Sequence, residues 1–251
     1  MTFHEDTQVL RLHLLGMSRL SQRALDYSIK GYELGNPDFC NHAVSAEREI
    51  KKLYCQTKYL CLKLVIKGAK SPSDLRFVLA ALRVTRALYK THNAATRIAK
   101  TTLLLLANSP AAKYPVLNQF VALTNCLMRL CVVALFEKEI SYAEMVVQNR
   151  QVWLWCEAIF DHLPLSADRR MEAVEIHART ITRSLGVVAK QTHEIADAIL
   201  YWLKGTDNAL VLETGAMESQ FLKSSPIARP RMSTRHTSLP FPLASCQSGS
   251  D

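Results

Sequence analysis

A run of basic residues is the most prominent set of chemically active side chains in this 251-residue sequence. The run consists of Arg83, Arg86, Lys90, Arg97 and Lys100, separated by three, four, seven and three residues. This spacing places them on one face of a helix. Such a face is either simply the solvated side of a helix or a surface that binds an acidic protein. The formal net charge of +9 also favours an acidic partner or an anionic surface, without choosing between them.

The cysteines and histidines lack the spacing of a metal or redox site. The seven cysteines include no C-x-x-C pair, and five of them lie in apolar helical patterns, where a reduced cysteine acts as a small hydrophobic residue. These five are Cys55, Cys61, Cys126, Cys131 and Cys156. Eight histidines are scattered without a His-x-x-x-His pair, and only His92 and His193 are candidate ligands for a softer metal. We expect no cofactor.

Enzyme fingerprints and targeting segments are not recognisable in the sequence. It contains no glycine-rich phosphate loop and no G-x-S-x-G turn, which predicts a protein that is not an enzyme. The N-terminus is acidic where a secretory signal would be basic. The apolar run around 103–106, taken as the candidate span, is far shorter than the roughly 18 residues that cross a bilayer. These observations predict a cytoplasmic protein.

Prolines divide the chain into long segments with helical periodicity. From Leu75 onward the apolar residues recur at intervals of three and four, and Ser71 followed by Pro72 is typical of a helix start. Hairpin signals are weak, so we predict an all-α fold. Six helices are expected, at about 8–34, 38–67, 72–107, 115–138, 140–162 and 166–204. Beyond about residue 213 the composition is rich in Ser, Pro and Arg, which predicts a disordered basic tail over 213–251.

The chain also repeats itself. Residues 84–88 (VTRAL) match residues 181–185 (ITRSL) at an offset of 97, and the same offset pairs Ile98 with Ile195. At an offset of 103, Leu20 pairs with Leu123. Two tandem three-helix bundles follow from this repeat, over 8–107 and 115–205, joined by a proline-containing linker.

Three segments resemble conserved motifs of the PhoU family. Residues 67–84 (KGAKSPSDLRFVLAALRV) resemble the family's QxPxAxDLRxIxAALKI motif, and residues 195–205 (IADAILYWLKG) resemble its closing NIAExVxYxxxG. Near the start, residues 20–25 (LSQRAL) are similar to its LVExAL. The resemblance covers roughly residues 8–205 and implies the same two-bundle fold.

The resemblance also implies metal clusters held by carboxylates, and at these positions the sequence departs from the family. The acids of the first DLERIGDH motif are replaced by Ala87, Tyr89 and Asn93, and in the second unit Lys190 replaces one with the opposite charge. Glu47 keeps one acid of the DxxID motif, but Lys51 replaces the other. We therefore expect no metal cluster, and we interpret Glu47 as solvated or ion-paired.

The function implied by the resemblance is regulation of phosphate uptake and phosphate-starvation signalling. Docking to a phosphate-specific ABC transporter and to a sensor histidine kinase is expected, with membrane contact only through these partners, and a homodimer is implied. The candidate partner-binding residues are Asp74, Arg76, Arg83, Arg86, Lys90 and Arg97. The alternative is a basic helical protein that binds nucleic acid or anionic lipid, although the sequence has no recognisable helix-turn-helix.

Two of these interpretations keep a second possibility. Asp74 and Arg76 either cap and fix the start of their helix or form part of the regulatory surface. The aromatic segment of Trp153, Trp155 and Phe160 belongs either to the core or to a partner-binding hot spot.

Overall fold

A computed structural model describes residues 2–69, 71–108, 115–149 and 169–205, and these residues form seven helices and no strand. In chain order the helices are α1 (Phe3–Leu34), α2 (Pro37–Ser45), α3 (Glu47–Lys67), α4 (Pro72–Asn108), α5 (Pro115–Glu137), α6 (Ile140–Gln148) and α7 (Arg169–Lys204). The all-α prediction is confirmed. The aromatic segment at 153–160 and the tail at 213–251 lie outside the described residues.

Side-chain caps fix where two of the long helices begin. The Thr2 hydroxyl accepts a hydrogen bond from the Glu5 backbone N–H at 3.2 Å, while the Glu5 carboxylate accepts one from the Thr2 backbone. This capping box starts α1 five residues before the predicted position. At α4 the Ser71 hydroxyl accepts from the Asp74 N–H at 3.1 Å, as the sequence predicted.

The second predicted helix is interrupted. Expected as one helix over 38–67, it divides at Ala46, whose backbone angles (φ −87°, ψ 4°) leave the helical range. Short α2 thereby lies across α1 and α4 while α3 continues along the bundle. Gly31 of α1 permits the close approach of α2, because an added Cβ there would lie 2.4 Å from the Cys40 sulfur.

The helices form two bundles that share a core. α1, α3 and α4 pack together with α2, whereas α5 and α6 pack on α7. α4 and α7 make the most extensive contact. They run antiparallel, since the ring of Phe77 near the start of α4 lies 4.8 Å from the ring of Trp202 near the end of α7, at a tilt of 52°. Leu25, Ile98, Val121 and Leu185, from four different helices, belong to one buried cluster. All the described residues lie in one compact unit.

Equivalent positions of the repeat play equivalent roles in α4 and α7. The hydroxyls of Thr85 and Thr182 each donate to the carbonyl four residues earlier, at 2.6 and 2.9 Å. Leu88 and Leu185 are both buried, while Arg86 is exposed as its equivalent Arg183 is. The sequence repeat thus corresponds to a structural repeat.

Helix α5 corrects the expectation that no segment has the length and composition of a membrane span. Its last 18 residues, Phe120–Glu137, have a mean hydropathy of 1.8, enough by length and composition to cross a bilayer. They do not form an uninterrupted apolar run in the sequence, because Thr124, Asn125 and Arg129 divide the apolar residues. In the structure α5 packs against α1, α6 and α7, and 39% of this segment is buried.

Candidate functional site

Helix α4 is buried on most of its circumference and exposes one narrow line of residues. Val84, Leu88 and Ala95 face the core, with 2% or less of each exposed. On the opposite side Arg86, Lys90, Arg97 and Lys100 are exposed, and we call these four residues the α4 basic strip. With a rise of 1.5 Å per residue the strip is about 21 Å long.

Two further contacts modify the charge of this strip. The Lys100 ammonium lies 2.7 Å from the Glu47 carboxylate of α3, in a pair that is about half exposed on both sides. Such a pair contributes little to stability but partly neutralises this end of the strip. Arg83, predicted to belong to the same face, is half-buried at its edge and has a partner of its own. The positive potential is therefore centred on Arg86, Lys90 and Arg97.

The structure places Asp74 and Arg76 away from the strip, at the end of the bundle. Asp74 lies about 18 Å from Arg86 along the helix. It lines a shallow pocket together with side chains near the start of α1, including His4 and Arg11. The candidate residues proposed from sequence thus form two separate groups.

Arg76 contacts the end of α7. Its guanidinium carbon would lie 3.5 Å from a Cβ added to Gly205, the residue that follows α7 with φ +77°. A cation beside the last carbonyls of a helix is stabilised by the helix dipole. This geometry favours the interpretation of Arg76 as a residue that fixes the start of α4 against α7.

The positions where the resemblance implied carboxylates hold a buried, an aromatic, an amide or a basic side chain. Ala87 is buried, and Tyr89 stacks on Tyr54 with ring centroids 4.3 Å apart. Asn93 is exposed on the same line as the α4 basic strip, and Lys190 is exposed on α7. Within the part of the chain that the structure describes, no three His, Cys, Asp or Glu side chains lie close enough to share a metal ion.

Glu47 and the histidines have other environments. Glu47 forms the ion pair with Lys100, so its interpretation as a solvated or ion-paired residue is confirmed. His92 is fully buried, and neither ring nitrogen makes a hydrogen bond of ordinary geometry. Burial lowers the pKa of His92, an effect partly offset by the nearby Leu20 backbone. His193 instead lies 3.3 Å from Asp197, four residues along the same helix.

Among the cysteines that the structure describes, Cys55 departs from the structural interpretation, and Cys156 lies outside the described residues. Cys40, Cys61 and Cys131 are buried, and burial raises the pKa of the Cys61 thiol to about 12, which keeps it protonated and unreactive. Cys55 is exposed on α3, so the expectation that it packs in an apolar interior was wrong. Cys55 shares its line along α3 with Lys52 and Tyr59, which are also exposed.

Comparison with known proteins agrees with this architecture. The PhoU domain model matches residues 14–102. The phosphate-specific transport system accessory protein PhoU of Edwardsiella tarda is 20% identical over 208 residues, which are 82% of this chain and 86% of that protein. The crystal structure of PhoU from Pseudomonas aeruginosa superimposes with a TM-score of 0.74 at 15% identity, covering 82% of this chain and all of that one (100%). Residues 14–102 thus match the PhoU domain, and the chain has the fold of PhoU proteins.

A second solved structure matches the same share of the chain. The phosphate transport system regulatory protein PhoU from Streptococcus pneumoniae gives a TM-score of 0.72 at 18% identity, over 82% of this chain and 99% of that chain. Both bundles are therefore matched to whole PhoU proteins, although the domain model itself ends at residue 102. Relative to the PhoU motifs, this chain carries amide, apolar, aromatic and basic side chains where acids were expected.

One exposed surface was not predicted from the sequence. The outer side of α3 combines basic residues with large exposed apolar residues, among them Tyr59 and Ile66. These residues recur in the sequence at intervals of three and four, a spacing that indicates a shared helical face without showing whether the face is covered.

Proposed function

We propose that this chain is an accessory protein of a phosphate transport system that acts by docking a helical surface on a partner and performs no covalent chemistry. The observation that carries the proposal is the match of its fold to the whole length of PhoU proteins, one of them described as a phosphate transport system regulatory protein. The curated relative, an accessory protein of phosphate-specific transport, supports the same assignment.

The α4 basic strip is the docking surface in this proposal. Arg86, Lys90 and Arg97 offer guanidinium and ammonium groups on a rigid helix, along a line of about 16 Å from first to last. Complementary charge speeds encounter and selects an acidic partner. Because Asn93 stands within the strip where the family motif has an acid, binding here would not require a bridging metal ion.

The partners proposed are those implied by the family resemblance. They are the cytoplasmic components of a phosphate-specific ABC transporter and a sensor histidine kinase, with the protein itself in the cytoplasm and present as a homodimer. Asp74 and Arg76 enter this proposal as residues that hold the start of α4 in place, and Arg83 as the half-buried edge of the strip.

The proposal is tested by charge reversal on the strip. Arg86→Glu together with Lys90→Glu removes two positive charges and adds two negative ones. The matched control is Arg19→Glu with Lys30→Glu, which makes the same change at two exposed residues of α1. The bait is the full-length chain, used to capture proteins from detergent-solubilised membranes of phosphate-replete cells.

The expected result is recovery of phosphate transporter components with the wild-type chain and the control, and a loss of at least roughly tenfold with the α4 variant. Equal recovery with all three baits would refute the strip as the docking surface. Recovery of neither transporter nor kinase with the wild-type chain would refute the assignment to phosphate transport. Binding of nucleic acid with a steep salt dependence would favour the alternative function.

A further inference from the structure

The outer side of α3 presents one straight line of exposed residues. Its members follow one another at intervals of four, three, four, three and four residues, so they share a single helical face. These members are Arg48, Lys52, Cys55, Tyr59, Leu62 and Ile66, and all six are exposed. We call this line, with its exposed neighbours Lys51, Lys58 and Val65, the α3 outer face.

The apolar half of this face is unusually open to solvent. Ile66 is 85% exposed, Tyr59 71% and Leu62 55%. Val65, at 45%, adjoins them on the same side. Large apolar side chains that occur together on a surface, rather than singly, indicate a site of contact. Their position in the last two to three turns of α3 makes them the end of the helix nearest the α3–α4 turn.

The other half of the face is basic. Arg48, Lys51, Lys52 and Lys58 are exposed within the first twelve residues, together with one exposed acid, Glu49. The two remaining basic residues of α3, Lys63 and Lys67, pair with Asp6 of α1. The other acid of α3, Glu47, is paired with Lys100 of α4. The face therefore combines a strong positive charge with protruding apolar residues on one convex helix.

We propose that the α3 outer face docks directly on an anionic lipid membrane. Tyr59, Leu62 and Ile66 would enter the headgroup region, while Arg48 and Lys52 would lie against lipid phosphates. A helix that lies in the membrane interface has this composition, with apolar residues for insertion and basic residues for attraction to anionic lipid. Tyrosine is favoured at that depth because it has an apolar ring and a polar end.

A second copy of this chain fits the face less well. In a two-fold dimer with antiparallel α3 helices, Arg48 and Lys52 of one copy would be desolvated against Leu62 and Ile66 of the other. Burial of cations against aliphatic side chains is unfavourable. With parallel helices the basic halves would face each other and repel. A bilayer interface instead satisfies both halves, since it offers anionic phosphates and an apolar layer a few ångströms apart.

This inference is independent of the α4 basic strip and of the proposed function. It concerns lipid alone, whereas the membrane contact implied by the family resemblance runs only through protein partners. The net charge and the basic tail had indicated anionic lipid only as an alternative partner, without a place of contact. The structure assigns the contact to a face of the folded bundle.

Vesicle flotation with the full-length chain tests the inference. The probes are phosphatidylcholine vesicles and vesicles in which roughly a third of the lipid is phosphatidylglycerol. The apolar variant is Leu62→Ser with Ile66→Ser, and its control is Leu34→Ser with Ile176→Ser, which removes the same atoms from exposed positions on α1 and α7. The charge variant is Arg48→Gln with Lys52→Gln, matched by Arg19→Gln with Lys30→Gln at exposed positions of α1.

Wild-type protein should float with the anionic vesicles and not with the neutral ones. Each base near an anionic surface contributes roughly fivefold, so the charge variant should bind about 25-fold less at low salt. The apolar variant should lose about tenfold, and both controls should lose less than about twofold.

Three outcomes would overturn the inference. The first is no binding of the wild-type chain to anionic vesicles. The second is an equal loss in variants and controls, which would mean attraction by net charge rather than docking of one face. The third is unchanged vesicle binding by the apolar variant together with a smaller oligomer in light scattering, which would assign the face to a second copy of the chain.

Discussion

The close contact between α1 and α2 makes Gly31 and Gly16 respond in opposite ways to the same substitution. Both are glycines inside α1, where replacement by alanine stabilises a helix by roughly 0.5–1 kcal/mol in the absence of steric conflict. At Gly16 the added Cβ would lie 3.4 Å from the Leu53 Cδ1, a flexible methyl group. Gly16→Ala should therefore raise the free energy of unfolding, by up to about 1 kcal/mol.

At Gly31 the steric cost exceeds this gain. The added Cβ would lie 2.4 Å from the Cys40 sulfur and 3.2 Å from the Cys40 backbone nitrogen. Overpacking of this kind costs typically 1–3 kcal/mol, so after the helix gain Gly31→Ala should lower the free energy of unfolding by about 1–2 kcal/mol. The backbone contact remains when the sulfur is removed, so Cys40→Ala should relieve only part of the conflict.

Urea denaturation followed by circular dichroism measures these changes. The informative quantity is the coupling between Gly31→Ala and Cys40→Ala in a double-mutant cycle. The double variant should be more stable than the sum of the two single changes predicts, by about 1 kcal/mol or more. If Gly31→Ala were as stabilising as Gly16→Ala, α2 could not lie against α1 as described. The contact between α2 and α1 would then not explain why the helix is interrupted at Ala46.

Further predictions concern ionisable groups, the core and metal content. Burial lowers the pKa of His92 in the folded state. The free energy of unfolding should therefore be highest above the unfolded pKa near 6.5 and decrease at lower pH. His92→Leu should make this decrease smaller, as measured by urea titrations between about pH 7 and 5. Hydrogen bonds from two lysines of α3 lower the pKa of Asp6. Its contribution to the free energy of unfolding should therefore be present above about pH 3.8 and be lost at lower pH. Asp6→Asn should make the free energy of unfolding depend less on pH in the acid range. Leu185→Ala should cost about 2–5 kcal/mol, against less than about 0.5 for Leu104→Ala at an exposed position, and equal costs would refute the described register of α4 or α7. Protein purified without chelator should contain no stoichiometric metal by mass spectrometry, and a stoichiometric transition metal would contradict the loss of the family's carboxylate sites.

The sequence by itself determined the helices and their repeat. Periodicity and the Ser71 cap place α4 at 72–107, within one residue of the observed end at Asn108. The matching segments at 84–88 and 181–185 predict two equivalent helices, and these have equivalent buried and exposed positions. Such features are local, because propensity, capping and the 3.6-residue period depend only on neighbours in the chain.

Only the tertiary structure decided which faces of these helices stay uncovered. Asp74, Arg76 and Arg86 lie on one helix, yet packing of α7 gives Arg76 a place at the α7 C-terminus and leaves Arg86 in solvent. On α3, the apolar residues around Tyr59 have the spacing of a core face but face outward, since α1 and α4 cover the opposite side, which includes Ile50 and Leu64. An apolar stripe does not specify its own partner, because burial depends on helices that are distant in sequence.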